Sequence, residues 1–112
     1  MPRPRKCRKV CSLPRANEFK PTCEAGAVVT LTVDEYETIR LIDKESFSQE
    51  EASQYMQVSR ATVQQIYNSA RFKLAEAIVG GRAIRIEGGD YALCNGEEKN
   101  CGCGGCGKHS NL

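Results

Sequence analysis

Residues 48–66 read SQEEASQYMQVSRATVQQI, and two helix starts are written into this one stretch. Ser48 followed by Glu51 is a capping box: the hydroxyl takes an orphan amide of the first turn while the carboxylate reaches back to the N–H of the cap. It predicts a short helix to about Met56 that buries Ala52, Tyr55 and Met56. Ser59 is a second N-cap, and no Gly or Pro interrupts the chain from Arg60 to Val79, which predicts the longest helix. Val63, Ile66, Ala70, Leu74, Ala77 and Ile78 give that helix an apolar stripe at helical spacing. Gly80-Gly81 ends it, since glycine readily takes the left-handed conformation past a helix terminus.

Upstream, Thr32 and Glu35 form another capping box, so a helix is expected from Val33 to about Lys44 with Val33, Tyr36, Ile39 and Ile42 on its apolar face. Before it, Pro14 to Gly26 reads as loop, with a short strand expected around Val10 to Leu13. Residues 1–9 hold two prolines and five cations and read as an extended arm. Downstream, apolar alternation on both sides of Gly88-Gly89 reads as a tight β-hairpin, expected to cap the long helix. The polar, Gly- and Cys-rich remainder cannot build an apolar core. The expected organisation is a basic arm and loop (1–30), three helices (31–79), a hairpin (80–94) and a tail (95–112). The fold class is mainly α, a three-helix helix-turn-helix domain with a short C-terminal β-hairpin and an extended N-terminal arm.

The chain has 112 residues, no Trp, three Phe and four Tyr, which fits a single domain with a small aliphatic core and no large enclosed substrate pocket. No apolar run is long enough to span a bilayer and no secretory signal is visible, so a cytoplasmic protein is expected. The net charge of +2 hides a segregation. Residues 1–22 carry Arg3, Arg5, Lys6, Arg8, Lys9, Arg15 and Lys20 against Glu18 alone, which suits a polyanion. Residues 31–56 are mostly acidic, with carboxylates expected on exposed faces and at helix starts, whereas 57–75 hold Arg60, Arg71 and Lys73 and no acid.

Two helices joined by Gln57-Val58-Ser59-Arg60 have the proportions of a helix-turn-helix, in which the first helix braces the second and leaves its opening turn free for a major groove. The outward positions of that turn and the next are Ser59, Arg60, Ala61, Thr62, Gln64, Gln65 and Asn68. Arg pairs with guanine O6 and N7, Gln and Asn with adenine N6 and N7, and Ala or a Thr methyl meets the thymine methyl. Arg60, Gln64 and Gln65 are the expected base readers, and Ser59 and Thr62 the expected phosphate contacts. Arg71, Lys73 and the arm residues Arg3, Arg5 and Lys6 would supply sequence-independent affinity. The competing reading is a generic three-helix bundle with an amide-rich solvated face.

The segment from Leu31-Thr32-Val33-Asp34-Glu35 through Gln49-Glu50-Glu51-Ala52 to Val58-Ser59-Arg60-Ala61-Thr62-Val63-Gln64-Gln65-Ile66 resembles region four of bacterial sigma factors. That resemblance implies base contacts at Arg60, Ala61, Gln64 and Gln65, although Ala61 and Gln64 stand where sigma factors commonly carry Glu and Arg. The whole chain, including RPRKCRKVC, VDEYETIRLID and RIEGGDY, is similar to a family of small, uncharacterised prokaryotic proteins regarded as DNA-binding. The resemblances imply a sequence-specific binder of double-stranded DNA, a transcriptional regulator. The alternative is a protein-interaction module, for example one that contacts RNA polymerase, with a metal-sensing tail. A homodimer would extend the few base pairs one helix can read.

Seven cysteines, an odd number, argue against a disulfide framework. Cys101, Cys103 and Cys106, with Cys94 as a fourth ligand, are the candidate metal site; zinc suits four thiolates, and an iron–sulfur cluster would use the same set. Thiols that bind metal adventitiously, and small buried cysteines at Cys11 and Cys94, are the alternative. His109 is expected to be a bystander, no thiol has a base held beside it, and an enzyme is not expected.

Overall fold

The computed structural model describes residues 8–24 and 26–93. The architecture is three helices with a few short strands. The elements run β1 (Arg8–Val10), β2 (Glu18–Phe19), β3 (Val29–Leu31), α1 (Val33–Thr38), α2 (Gln49–Met56), α3 (Arg60–Gly80), β4 (Ile84–Ile86) and β5 (Tyr91–Leu93). The expected strand at Val10 to Leu13 thus lies slightly earlier, ending at Val10.

Both capping boxes close as their spacing predicts. Glu35 N–H donates to Thr32 Oγ1 at 3.3 Å while Thr32 N–H donates to Glu35 Oε1 at 2.9 Å. Ser48 and Glu51 repeat the exchange at 3.0 and 2.8 Å. Past Thr38 the first helix widens into a π-helical stretch, Ile39–Lys44, where Glu45 N–H reaches back to Arg40 O at 2.9 Å. The wider turn rotates the apolar face. Leu41 becomes fully buried, while Ile42, on the regular stripe, is only half-buried.

The core is two clusters. One packs Leu41, Ala52, Tyr55, Met56 and Val63 around Cys11, joining α2 to the start of α3. The other packs Val10, Leu31, Val33, Ala70 and Ile86 between strands and the middle of α3. Each large apolar side chain taken wholly from water contributes about 1.5–3 kcal/mol, so Leu41, Met56 and Val63 anchor the helix pair. Ile78 leaves the expected stripe: it is 75% exposed, because only Ala77 of the last turns still meets the core.

The expected β-hairpin does not form. β4 is the centre of a three-stranded sheet, antiparallel to β2 and parallel to β3, whereas β5 pairs in parallel with β1. Gly88-Gly89 carries the chain from one sheet to the other across the start of α1, where Val33 N–H donates to Gly88 O at 3.0 Å. Both glycines have positive φ, +78° and +98°. A Cβ on Gly89 would overlap the Asp34 carboxylate and lie 2.9 Å from Thr32 Cβ. Gly89 therefore serves a close backbone approach to α1, and Gly88, with open space around it, the left-handed turn that leads there, not a two-residue hairpin turn.

Candidate nucleic-acid interface

α2 ends at Gln57, whose φ of +60° turns the chain sharply, and Val58 N–H returns to Ser53 O at 3.1 Å. Three residues, Gln57 to Ser59, separate α2 from α3. Met56, Ala52 and Val63 pack beneath this turn, so α2 braces the opening of α3. Ser59 caps α3, accepting from Thr62 N–H at 3.1 Å.

The outer face of that opening is polar. Ser59, Arg60, Ala61, Gln64, Gln65 and Asn68 are exposed, and Thr62 is half-buried. Ser59 Oγ and Thr62 Oγ1 lie 2.8 Å apart and share one hydroxyl hydrogen, which leaves the pair one further O–H for an outside acceptor. Arg60 has no ion pair among the described residues, and its guanidinium stands at the positive end of the helix. From Arg60 to Asn68 the face spans about 12 Å at 1.5 Å per residue, a length suited to a few base pairs.

Beyond Asn68 the cations are committed. The Arg71 guanidinium donates to Tyr67 Oη at 2.7 Å and lies 3.5 Å from Asp43 Oδ1. The hydrogen bond to Tyr67, its charge interaction and Asp43 all hold Arg71 further above its ordinary range. Tyr67 in turn donates to Asp43 at 2.8 Å. Arg71 is nonetheless largely exposed and can turn outward. Lys73, expected to add sequence-independent affinity, is held within the fold by an ion pair, its Nζ 2.8 Å from Glu35 Oε1.

The carboxylates expected on exposed faces are also corrected, since Asp34, Glu35 and Glu37 are buried. Glu35 accepts from Thr32, Ser69 and Lys73, tying α1 to α3. Burial pushes its pKa up, but the donors from Lys73, Ser69 and the Thr32 amide outweigh that and hold it below the ordinary 4.5. Glu37 accepts from both ends of the Arg40 guanidinium at 2.8 and 2.9 Å and from Cys11 N–H at 3.0 Å. The i,i+3 spacing of Glu37 and Arg40 is visible in the sequence, but the third donor is not, because Cys11 lies 26 positions away.

The basic amino-terminal segment divides. Arg8 pairs with Asp90 at 3.4 Å and approaches Asp34 at 4.0 Å. Lys9 is buried, with Nζ 4.9 Å from the centre of the Tyr55 ring. Both are used by the fold. Arg3, Arg5 and Lys6 lie outside the described residues, as do the candidate metal ligands Cys94, Cys101, Cys103 and Cys106. Cys11 is buried and Cys23 exposed, and no cluster of three metal-ligating side chains occurs among the described residues. No helix there is long and apolar enough to cross a membrane.

No solved structure matches this chain. It is 57% identical over 107 residues to a "UPF0251 protein" of Desulfitobacterium hafniense (strain DSM 10664 / DCB-2), covering 93% of this chain and 86% of the relative. A "UPF0251 protein" of Caldicellulosiruptor bescii is 51% identical over 104 residues, with 93% and 74% covered. One from Ruminiclostridium cellulolyticum is 39% identical over 127 residues and covers both chains fully. The family model described as "Protein of unknown function DUF134" matches residues 1–94, and with relatives this similar the chain belongs to the DUF134/UPF0251 family.

Proposed function

We propose that this chain binds double-stranded DNA sequence-specifically, using α2 and α3 as a helix-turn-helix, and acts as a transcriptional regulator. One observation carries the reading: Arg60, Ala61, Gln64, Gln65 and Asn68 form an exposed, acid-free face on the opening of a Ser-capped helix that α2 braces from behind. These side chains match the donor and acceptor patterns of base edges, and the hydroxyl pair at Ser59 and Thr62 stands where phosphates pass a helix terminus. Arg3, Arg5 and Lys6 would add affinity along the backbone, and Arg71 would join them once released from Asp43.

The test is retention of random duplex DNA by purified protein at physiological salt, with sequencing of the retained pool. An enriched motif is expected, and a two-fold symmetric one would indicate a homodimer. Arg60→Ala should then weaken the enriched site by about 1–3 kcal/mol while leaving random DNA nearly unchanged. Equal losses on both would remove Arg60 as a base reader, and no retention at low salt would overturn the DNA reading.

A second reading rests on the other end of α3. Phe72, Ile78 and Val79 are 65%, 75% and 87% exposed, an apolar surface suited to a protein partner such as RNA polymerase. Salt separates the readings: DNA binding falls steeply as salt rises, and an apolar contact changes little. For the carboxy-terminal cysteines we keep zinc or an iron–sulfur cluster as the proposal, to be checked by metal content of untagged protein prepared anaerobically.

A further inference from the structure

A concave groove of about 450 Å³ opens between the helices and the three-stranded sheet. Its walls are Tyr36 and Ile39 from the first helix, Leu74 from α3, Leu31 from β3 and Ile84 from β4. The β3–β4 pairing fixes the sheet wall through the register Val29 to Ile84 and Leu31 to Ile86. The Glu35–Lys73 and Glu35–Ser69 contacts fix α1 against α3 on the helical side. The groove is therefore formed before anything enters it. Its size falls in the range of roughly 300–1,000 Å³ typical of small-molecule clefts.

Two features choose the occupant. Phe19, 53% exposed, forms an aromatic lip, and Arg15 brings the one charged side chain of the lining. Arg15 makes no ion pair among the described residues, whereas Lys20 and Arg85 are both drawn to Glu18. An apolar body with a single anionic head would satisfy walls and rim together. The rest of the chain is a poor filler. Residues 1–7 and 94–112 offer Met1 and Leu112 besides prolines and cysteines, too little apolar surface to cover these walls.

We propose that this groove binds a small, free amphipathic carboxylate, its tail between Tyr36, Leu74 and Ile84 and its head at Arg15. The site stands independently of the DNA reading, since no residue of the α3 opening lines it.

The test titrates purified full-length protein with the dye 1-anilinonaphthalene-8-sulfonate, then displaces the dye with decanoate or with uncharged decanol. One dye site per chain is expected, with decanoate displacing it below its micellar concentration. Arg15→Glu, a surface change, should weaken decanoate about fivefold or more and leave decanol unchanged. Ile39→Trp should fill the groove and reduce both; should that variant fail to fold, Arg15→Glu decides alone. Dye binding at many sites, decanoate insensitive to Arg15→Glu, or uptake seen only on anionic phosphatidylglycerol vesicles would each overturn the proposal.

Discussion

Glu37 has no exposed surface, yet three donors converge on it, two from Arg40 and one from the Cys11 amide. Removing the carboxylate would leave a largely buried guanidinium with only the Glu45 carboxylate, 3.8 Å away, and an unpaired Cys11 amide beside the cluster around Leu41 and Tyr55. Glu37→Ala is therefore expected to cost about 3–5 kcal/mol in urea unfolding, the range for breaking one side of a buried pair. Glu35 yields a prediction in pH. Its pKa is depressed in the folded chain, so its contribution is present above the ordinary carboxylate value and lost as pH falls through the lower, folded one. In Lys73→Met a major contact that lowers the Glu35 pKa is gone, so the depression shrinks: the variant should be less stable than the parent at neutral pH but lose less on acidification, giving a shallower acid limb. Circular dichroism against pH checks this, and an unchanged acid limb would show that Lys73 does not govern Glu35.

The two glycines between β4 and β5 separate backbone strain from close contact. Gly88 has φ +78° with open space where a Cβ would go, whereas Gly89 at +98° has the Asp34 carboxylate there. Gly88→Ala should cost about 1 kcal/mol, the penalty for a left-handed alanine. Gly89→Ala should cost at least ~2 kcal/mol more, because Asp34 and the start of α1 must shift. Equal denaturation midpoints for the two variants would refute the close-approach reading. The same glycines show where sequence reading stops. The capping boxes at Thr32 and Ser48 and the cap at Ser59 were legible because each is closed within three residues of itself. The pairing of Arg8 with Tyr91 joins distant parts of the chain through three-residue strands, too short to show a period, and Gly-Gly between two strands carries the same letters whether it turns a hairpin or crosses a helix. The π-helical stretch and the burial of Glu37 were hidden similarly, since both follow from tertiary packing against β1 and α2. The candidate interface was legible at its head, from Ser59 to Asn68, because exposure there follows from helical phase alone.

Across the whole molecule, charge is partitioned between holding the fold and facing outward, and composition alone does not reveal which cation does which. Arg8, Lys9 and Lys73 are spent internally, Arg71 is held loosely by Asp43 and Tyr67, and Arg60 stands without an ion pair among the described residues. If DNA is the ligand, each phosphate neutralised contributes about 0.9 to the slope of log affinity against log salt. Arg71→Ala should therefore flatten that slope by about one contact. Lys73→Met should leave the slope unchanged while lowering the unfolding midpoint, because its charge already belongs to Glu35. Asp43→Asn, by releasing Arg71, should strengthen binding to all sequences alike, most visibly at low salt. A slope that falls in Lys73→Met as much as in Arg71→Ala would mean that the ion pair to Glu35 opens on DNA, and with it the tie between α1 and α3.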